Sequence, residues 1–202
     1  MADGAKLYLE ILRTSAMILS SVSERNDRET AHLPIAFEEP HWYVAHTSAN
    51  HEKRVTQQFQ ERSVENFLPL YDSVRRWKDR RMKLQLPLFP GYVFVRLPLR
   101  ERLKVLQVPG VARLISFNGQ PAALPDKEIE ALRASLAAQL RTEPHPYLNL
   151  TVGRRVRVTR GPLEGVEGIL IRKKNACRVV LSLDLIMRSA SVEVDASDLE
   201  RI

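Results

Sequence analysis

Residues 92–95, YVFV, form a short apolar run whose side chains cover both faces of a strand. Side chains alternate along a strand, so Tyr92 and Phe94 share one face while Val93 and Val95 share the other. The surrounding sequence predicts few helices, too few to cover both faces of a sheet. We therefore expect the valines to pack against the domain's own helices and the aromatic face to meet a partner. The alternative is that both faces belong to the core.

Composition limits the class of protein. The chain has 202 residues, 44% of them hydrophobic, which is enough for a packed core in one domain or two small ones. Its single cysteine, Cys177, is expected in the core; it excludes an internal disulfide and suits a reducing cytoplasm. The apolar stretch at residues 5–22 is interrupted by Glu10 and Arg13, so it suits neither a signal peptide nor a membrane span. We expect a cytoplasmic, monomeric protein with no membrane association.

Positive charge is concentrated in the middle of the chain. The net charge is +7, and residues 41–141 alone carry 17 basic and 9 acidic side chains, a net +8. A basic domain attracts polyanions such as nucleic acid, because each neutralised phosphate releases counterions. The alternative is ordinary charge that keeps the protein soluble.

The pattern of residues 41–141 predicts one α+β domain, a sheet backed by helices. It follows an extension, residues 1–40, that is expected to be partly helical, with a short helix around residues 5–20, or disordered. The predicted elements are strands at 41–47, 64–71, 91–97 and 111–117, and helices at 51–62, at 99–108 and from Pro125 onwards.

A dense group of basic residues lies between two strand signals. Residues 71–83 hold six positive charges and two acidic residues, which predicts a long hairpin with a basic tip, closed by strand 91–97. Aromatic and basic side chains together stack on bases and bind phosphate. The alternative is a solvated loop. The candidate nucleic-acid contacts are Arg75, Arg76, Trp77, Lys78, Arg80 and Arg81, with Arg54 on the preceding helix.

The character of the sequence changes after residue 141. Residues 142–150 read as a linker, in which Pro144 and Pro146 oppose a helix or a central strand. Residues 151–202 alternate short β-rich segments with glycine turns. Such short strands within about 50 residues predict a small β-barrel, and we expect the segment to keep this fold permanently.

Residues 156–170, VRVTRGPLEGVEGIL, resemble the KOW motif, in which a valine-rich strand, a glycine turn and a second strand follow one another. Gly161 supports a tight turn, Gly165 a positive φ, and Gly168 a close approach between strands.

Four further segments, together with that motif, resemble the NusG family of transcription elongation factors. They are HWYVAHTSANHEKRV, PLFPGYVFV, VPGVARLI and a helix beginning PDKEI, in that order. The resemblance covers roughly residues 41–202. It implies an α+β fold in which a NusG N-terminal-like α/β sandwich domain is linked to a small all-β, SH3-like KOW barrel.

The resemblance also implies a function. Bacterial NusG-type proteins bind RNA polymerase through a hydrophobic patch that takes the clamp helices of the largest subunit. They suppress pausing and touch the non-template DNA strand, and their KOW barrel recruits termination factor Rho or a small-subunit ribosomal protein. By position, the patch here comprises His46, Phe89, Tyr92 and Phe94, and the basic hairpin contacts nucleic acid or the polymerase. The sequence has no catalytic motif or metal-ligand spacing, so we expect neither an enzyme nor a cofactor.

Two segments differ from the housekeeping members of the family. The segment RERLKVLQV lacks their tryptophan, and ARLISFNG stands where they have a glycine-phenylalanine-glycine-like strand. The layout resembles specialised paralogues of the RfaH and UpxY kind, which implies an antiterminator of particular long operons. The alternatives are a housekeeping NusG elongation and termination factor and an RNA-binding, ribosome-associated KOW protein.

Overall fold

A computed structural model describes residues 35–77, 80–146, 154–173 and 176–202. Residues from Pro34 to Ile202 form one compact unit. The helix expected near residues 5–20, and most of the predicted extension, lie outside the described residues. Within the described ranges, no helix is both long and apolar enough to cross a membrane.

The elements before residue 140 alternate short helices with strands. The helices are α1 Ile35–Glu38, α2 Glu52–Glu61, α3 Arg102–Leu106 and α4 Asp126–Ala137. The strands are β1 His41–Thr47, β2 Glu65–Phe67, β3 Leu70–Trp77, β4 Arg80–Pro87, β5 Tyr92–Leu97, β6 Val111–Leu114, β7 Ser116–Phe117 and β8 Gln120–Pro121.

The elements after residue 140 are strands and short 3-10 turns. The strands are β9 Thr142–His145, β10 Arg154–Val158, β11 Glu167–Lys173, β12 Ala176–Leu183, β13 Arg188–Val194 and β14 Leu199–Arg201. The mixed α+β class that the sequence predicts is confirmed.

A four-stranded antiparallel sheet, in the order β2-β5-β1-β6, forms the centre of the first half of the unit. The predicted β1 and the helix after it are confirmed. In the ladder between β1 and β5, Val44 lies opposite Phe94 and His46 opposite Tyr92. Strand β5, which is apolar on both faces, is therefore a central strand of this sheet.

One face of this sheet, the valine face, packs against α2 and α3. Val93 and Val95 are fully buried there, in one cluster with Phe59 of α2 and Val105 of α3. The prediction that the two valines face the domain's own helices is confirmed.

The opposite face, the aromatic face, is covered by α4. Phe94 and Trp42 are buried in one cluster with Ile129 and Leu132 of that helix. The guanidinium carbon of Arg133 lies 4.6 Å from the centroid of the Trp42 ring. Helix α4 covers this face around Phe94 and Trp42, while Tyr92 and His46 stay partly exposed. The expected contact of the aromatic face with a partner stays a prediction.

The hairpin β3–β4 forms a sheet of its own, outside the central sheet. The predicted basic hairpin is confirmed, but its second strand is β4 and not the strand at 91–97. The predicted strand over 64–71 also divides into β2 and β3, with Pro69 between them. Proline has no N–H for a ladder, whereas the Pro69 carbonyl accepts the Leu88 N–H at 2.8 Å.

The second half is a six-stranded antiparallel sheet, the C-terminal sheet, in the order β14-β10-β11-β12-β13-β9. The four strands that the sequence predicts here are confirmed as β10 to β13. Gly165 has a φ of +80°, as expected. A Cβ atom at Gly168 would lie 2.5 Å from the Val180 carbonyl oxygen, so only glycine fits between β11 and β12.

Four residues of the predicted linker, Thr142–His145, are strand β9 at the edge of the C-terminal sheet. That part of the linker prediction is wrong. An edge strand tolerates proline, and Pro144 is paired with Ala190. Residues 147–150 lie outside the described ranges.

Helix α4 lies between the aromatic face and the C-terminal sheet. The cluster that contains Trp42 and Ile129 continues into Val156, Leu181 and Ile186. The predicted domains 41–141 and 151–202 are thus joined by a continuous apolar core, and the boundary between them stays a prediction.

Candidate functional site

The turn that leads into β5, residues 88–91, is held on both sides by hydrogen bonds. We call it the FPG turn, after Phe89-Pro90-Gly91. The Gly91 N–H donates to the Glu52 carboxylate at 2.7 Å, and the Gly91 carbonyl accepts the Thr47 N–H at 2.8 Å. Gly91 has a φ of +83°, a conformation that favours glycine. The turn therefore has one defined shape where it meets β1 and α2.

The FPG turn brings the four predicted contact residues together. The rings of His46 and Tyr92 are 5.5 Å apart and half-buried, whereas Phe89 packs edge-to-face on Phe94 at 6.0 Å. Phe89 is only 2% exposed and Phe94 is fully buried. A partner protein can therefore touch His46 and Tyr92. The two phenylalanines are buried beneath these rings and support them.

The basic hairpin places its arginines in register. Arg76 pairs with Arg81, and Trp77 with Arg80, at the end of β3–β4. Arg81 is exposed, as is Arg54 on α2. Lys78 lies outside the described residues, as do the side chains of Arg75, Arg76, Trp77 and Arg80.

A cleft of about 1060 Å³ separates the hairpin from the end of α4 and from β9. Tyr71 and Val74 line it on one side, and Leu136, Leu140 and Thr142 on the other. Val74 is 60% exposed. The hairpin therefore presents apolar as well as basic surface.

An arginine buried in the C-terminal sheet ties β9 to its neighbours. Arg178 is 3% exposed and donates to the carboxylates of Glu143 on β9, at 2.6 Å, and of Glu193 on β13, at 3.1 Å. The hydrogen bond from Arg178 is the main reason that the pKa of Glu143 lies below its usual value. Partial burial opposes this shift, and a second hydrogen bond from Arg141 adds to it. A charge at this depth needs such partners, because an unpaired buried charge is very costly.

A carboxyl group at the junction of α4 and the C-terminal sheet is in the opposite situation. Burial raises the pKa of Glu128 to about 7, and the charge of Asp184 on the C-terminal sheet side adds to the effect. Among the described residues, its Oε2 atom is buried without a hydrogen-bond partner. The protonated form of Glu128 therefore suits the packed arrangement.

Known proteins that are similar to this chain include NusG-type transcription factors. The family model described as transcription termination factor nusG matches residues 40–133, which include the FPG turn, the basic hairpin and α2. The transcription termination/antitermination protein NusG of Yersinia pestis is 29% identical, over 79% of this chain and 95% of its own. Its namesake in Pseudomonas aeruginosa is 27% identical, over 80% and 98%.

The chain is similar to NusG-family proteins over about four fifths of its length. A solved structure of Thermotoga maritima NusG aligns with 81% of this chain and 98% of its own, with a TM-score of 0.49 and 24% identity.

The sequence patterns did not point to three ionisable residues that the structure places at buried or half-buried positions. They are Glu52, Glu128 and Arg178, and their burial follows from tertiary packing that no local pattern shows. Of the KOW glycines, Gly165 has the expected positive φ, +80°, and Gly161 has a φ of +85°. Cys177 is partly exposed, so its predicted place in the core is wrong.

Replacing Glu128 with glutamine should make stability depend less on pH. The folded-state pKa of about 7 lies above the ordinary 4.5, so the native chain binds this proton more tightly than the unfolded chain. The stability from protonated Glu128 is complete below pH 4.5 and is lost as pH rises through 7. Thermal unfolding at about pH 5 and about pH 8 should show a larger loss in wild type than in Glu128→Gln.

Glu130→Gln, an exposed carboxyl on the same helix, is the control for this experiment and should behave like wild type. An identical pH dependence of unfolding in Glu128→Gln and wild type would contradict the assignment.

Proposed function

We propose that this chain is a transcription elongation regulator that binds RNA polymerase and suppresses pausing, as a specialised antiterminator. Similarity to NusG proteins supports the general function, since these relatives are named as transcription termination/antitermination proteins. The observation that carries the polymerase contact is the half-buried ring pair of His46 and Tyr92, which lies beside the hydrogen-bonded FPG turn.

The contact on the polymerase side is assigned to the clamp helices of the largest subunit. A helix presents apolar side chains along one face, and it fits against a shallow aromatic surface rather than a deep pocket. Tyr92 and His46 provide that surface, with Phe89 and Phe94 packed beneath them to fix its shape. In this proposal the two phenylalanines contribute through their packing.

Removing the ring of Tyr92 should weaken polymerase binding while the domain stays folded. Tyr92 is half-buried at the rim, so truncation removes contact area without emptying the core. Tyr92→Ala should lower the affinity for polymerase core by roughly tenfold, as measured by equilibrium binding.

The matched control is Leu103→Ala. Leu103 is an exposed apolar residue on α3, the helix that packs on the opposite, valine face of the sheet. It should bind polymerase like wild type. Unchanged affinity in a folded Tyr92→Ala variant would refute the proposed contact.

The basic hairpin is proposed to contact nucleic acid in the transcription complex, including the non-template strand. Its density of positive charge and the register that sets Arg76 opposite Arg81 support this role. Arginines at opposed positions of a ladder bring like charge together, which is unfavourable alone, and a phosphate relieves the repulsion.

Neutralising that arginine pair should reduce pause suppression more than it reduces stability. The double variant Arg76→Gln and Arg81→Gln should flatten the salt dependence of DNA binding by about 1 to 2 in the log–log slope. The control is Arg100→Gln with Arg102→Gln, an exposed pair near α3. The same salt slope and pausing profile in hairpin variant and wild type would count against the nucleic-acid role.

Specialisation for particular operons rests on the two segments that differ from housekeeping members. In the same proposal, the KOW region recruits Rho or a small-subunit ribosomal protein through the C-terminal sheet. Genome-wide occupancy by chromatin immunoprecipitation should show the protein on a few long transcription units. Occupancy of most transcribed genes would support the housekeeping alternative, and co-purification with ribosomes without polymerase would support an RNA-binding role.

A further inference from the structure

Glu52 is a charged residue in a place where charge is unfavourable. It occupies the first turn of α2, next to the valine-face core, and is only 4% exposed. Burying a carboxylate costs free energy unless hydrogen bonds replace its hydration. Its position on the first turn of a helix offsets part of that cost through the helix dipole.

The Glu52 carboxylate reaches across to the FPG turn, 39 residues along the chain. Its Oε1 atom accepts the Gly91 N–H at 2.7 Å, a short, charge-assisted hydrogen bond. The Gly91 carbonyl is bound on the other side by the Thr47 N–H. One peptide segment is therefore fixed from α2 and from β1 at once.

Gly91 is the residue immediately before Tyr92, and it lies under His46. A Cβ atom at Gly91 would make ordinary van der Waals contact with that ring, 3.8 Å from Nε2 of His46. The direction in which β5 starts, and hence the position of the Tyr92 ring beside His46, depends on the geometry of Gly91.

We propose that Glu52 is a positioning residue that holds the FPG turn in the shape that presents Tyr92 and His46 to polymerase. This inference rests on the proposed polymerase contact. In this role the buried carboxylate of Glu52 affects polymerase binding through Gly91, without touching the polymerase. The carboxylate lowers the freedom of the turn before binding, which reduces the ordering that association requires.

The test compares substitutions that keep or remove the acceptor. Glu52→Gln keeps an amide oxygen at the same reach, so it should stay within about threefold of wild-type affinity for polymerase core. Glu52→Asp keeps the charge but withdraws it by one methylene, and Glu52→Ala removes the acceptor. Both should lower the affinity by roughly tenfold and shift the Gly91 amide resonance in proton–nitrogen NMR spectra.

Val55→Ala is the control for lost stability, because it truncates a buried residue on the same helix that belongs to the valine-face core. It should lower the unfolding temperature without changing polymerase affinity at a temperature where the variant is folded. If Glu52→Ala does not fold, the contrast between Glu52→Asp and Glu52→Gln decides the question.

The outcomes separate this inference from the proposed function. Loss of binding in Tyr92→Ala with full binding in Glu52→Asp and Glu52→Ala would overturn the role of Glu52 and leave the polymerase contact standing. Full binding in Tyr92→Ala would overturn the contact itself. An unshifted Gly91 amide in Glu52→Asp would overturn the positioning role whatever the affinity.

Discussion

The antiparallel pairing of β1 with β5 sets Val44 opposite Phe94 and Tyr43 opposite Val95, so one strand pair supplies both faces of the central sheet. Each face needs its own cover. Helices α2 and α3 cover the valine face, and α4 covers the aromatic face while its other side meets the C-terminal sheet. The register of this pair also puts His46 beside Tyr92, at the end of the aromatic face that is still partly exposed. Core and candidate contact surface are therefore consequences of the same ladder.

Burial divides the aromatic residues around the FPG turn between two tasks. Phe89 and Phe94 are too deep for a partner to touch, whereas Tyr92 and His46 lie at the rim. The hydrogen bonds that Gly91 makes with Glu52 and Thr47 join the FPG turn, next to Tyr92, to helix α2 and strand β1. A surface built in this way keeps its shape before a partner arrives, which favours binding because little remains to be ordered.

Local patterns were sufficient for the elements whose signal is periodic. Strand β1, helix α2, the presence of a basic hairpin and strands β10 to β13 follow from alternation, helical spacing and turn residues. The cover on the aromatic face did not follow, because periodicity shows that α4 has an apolar stripe without showing which sheet face it meets. The second hairpin strand was missed although Met82, Leu84 and Leu86 alternate with polar residues, a visible period-two signal. Strand β9 was hidden by its proline, since an edge position that accepts proline is a property of the assembled sheet.

The most direct test of the account is a hydrogen-exchange footprint of the chain on RNA polymerase core. Exchange of backbone amides reports on each segment separately, without any substitution. The account predicts slower exchange on binding at the end of β1 near His46, over residues 88–92, and along the hairpin β3–β4. Protection confined to the C-terminal sheet, with unchanged exchange over the FPG turn and the hairpin, would contradict it.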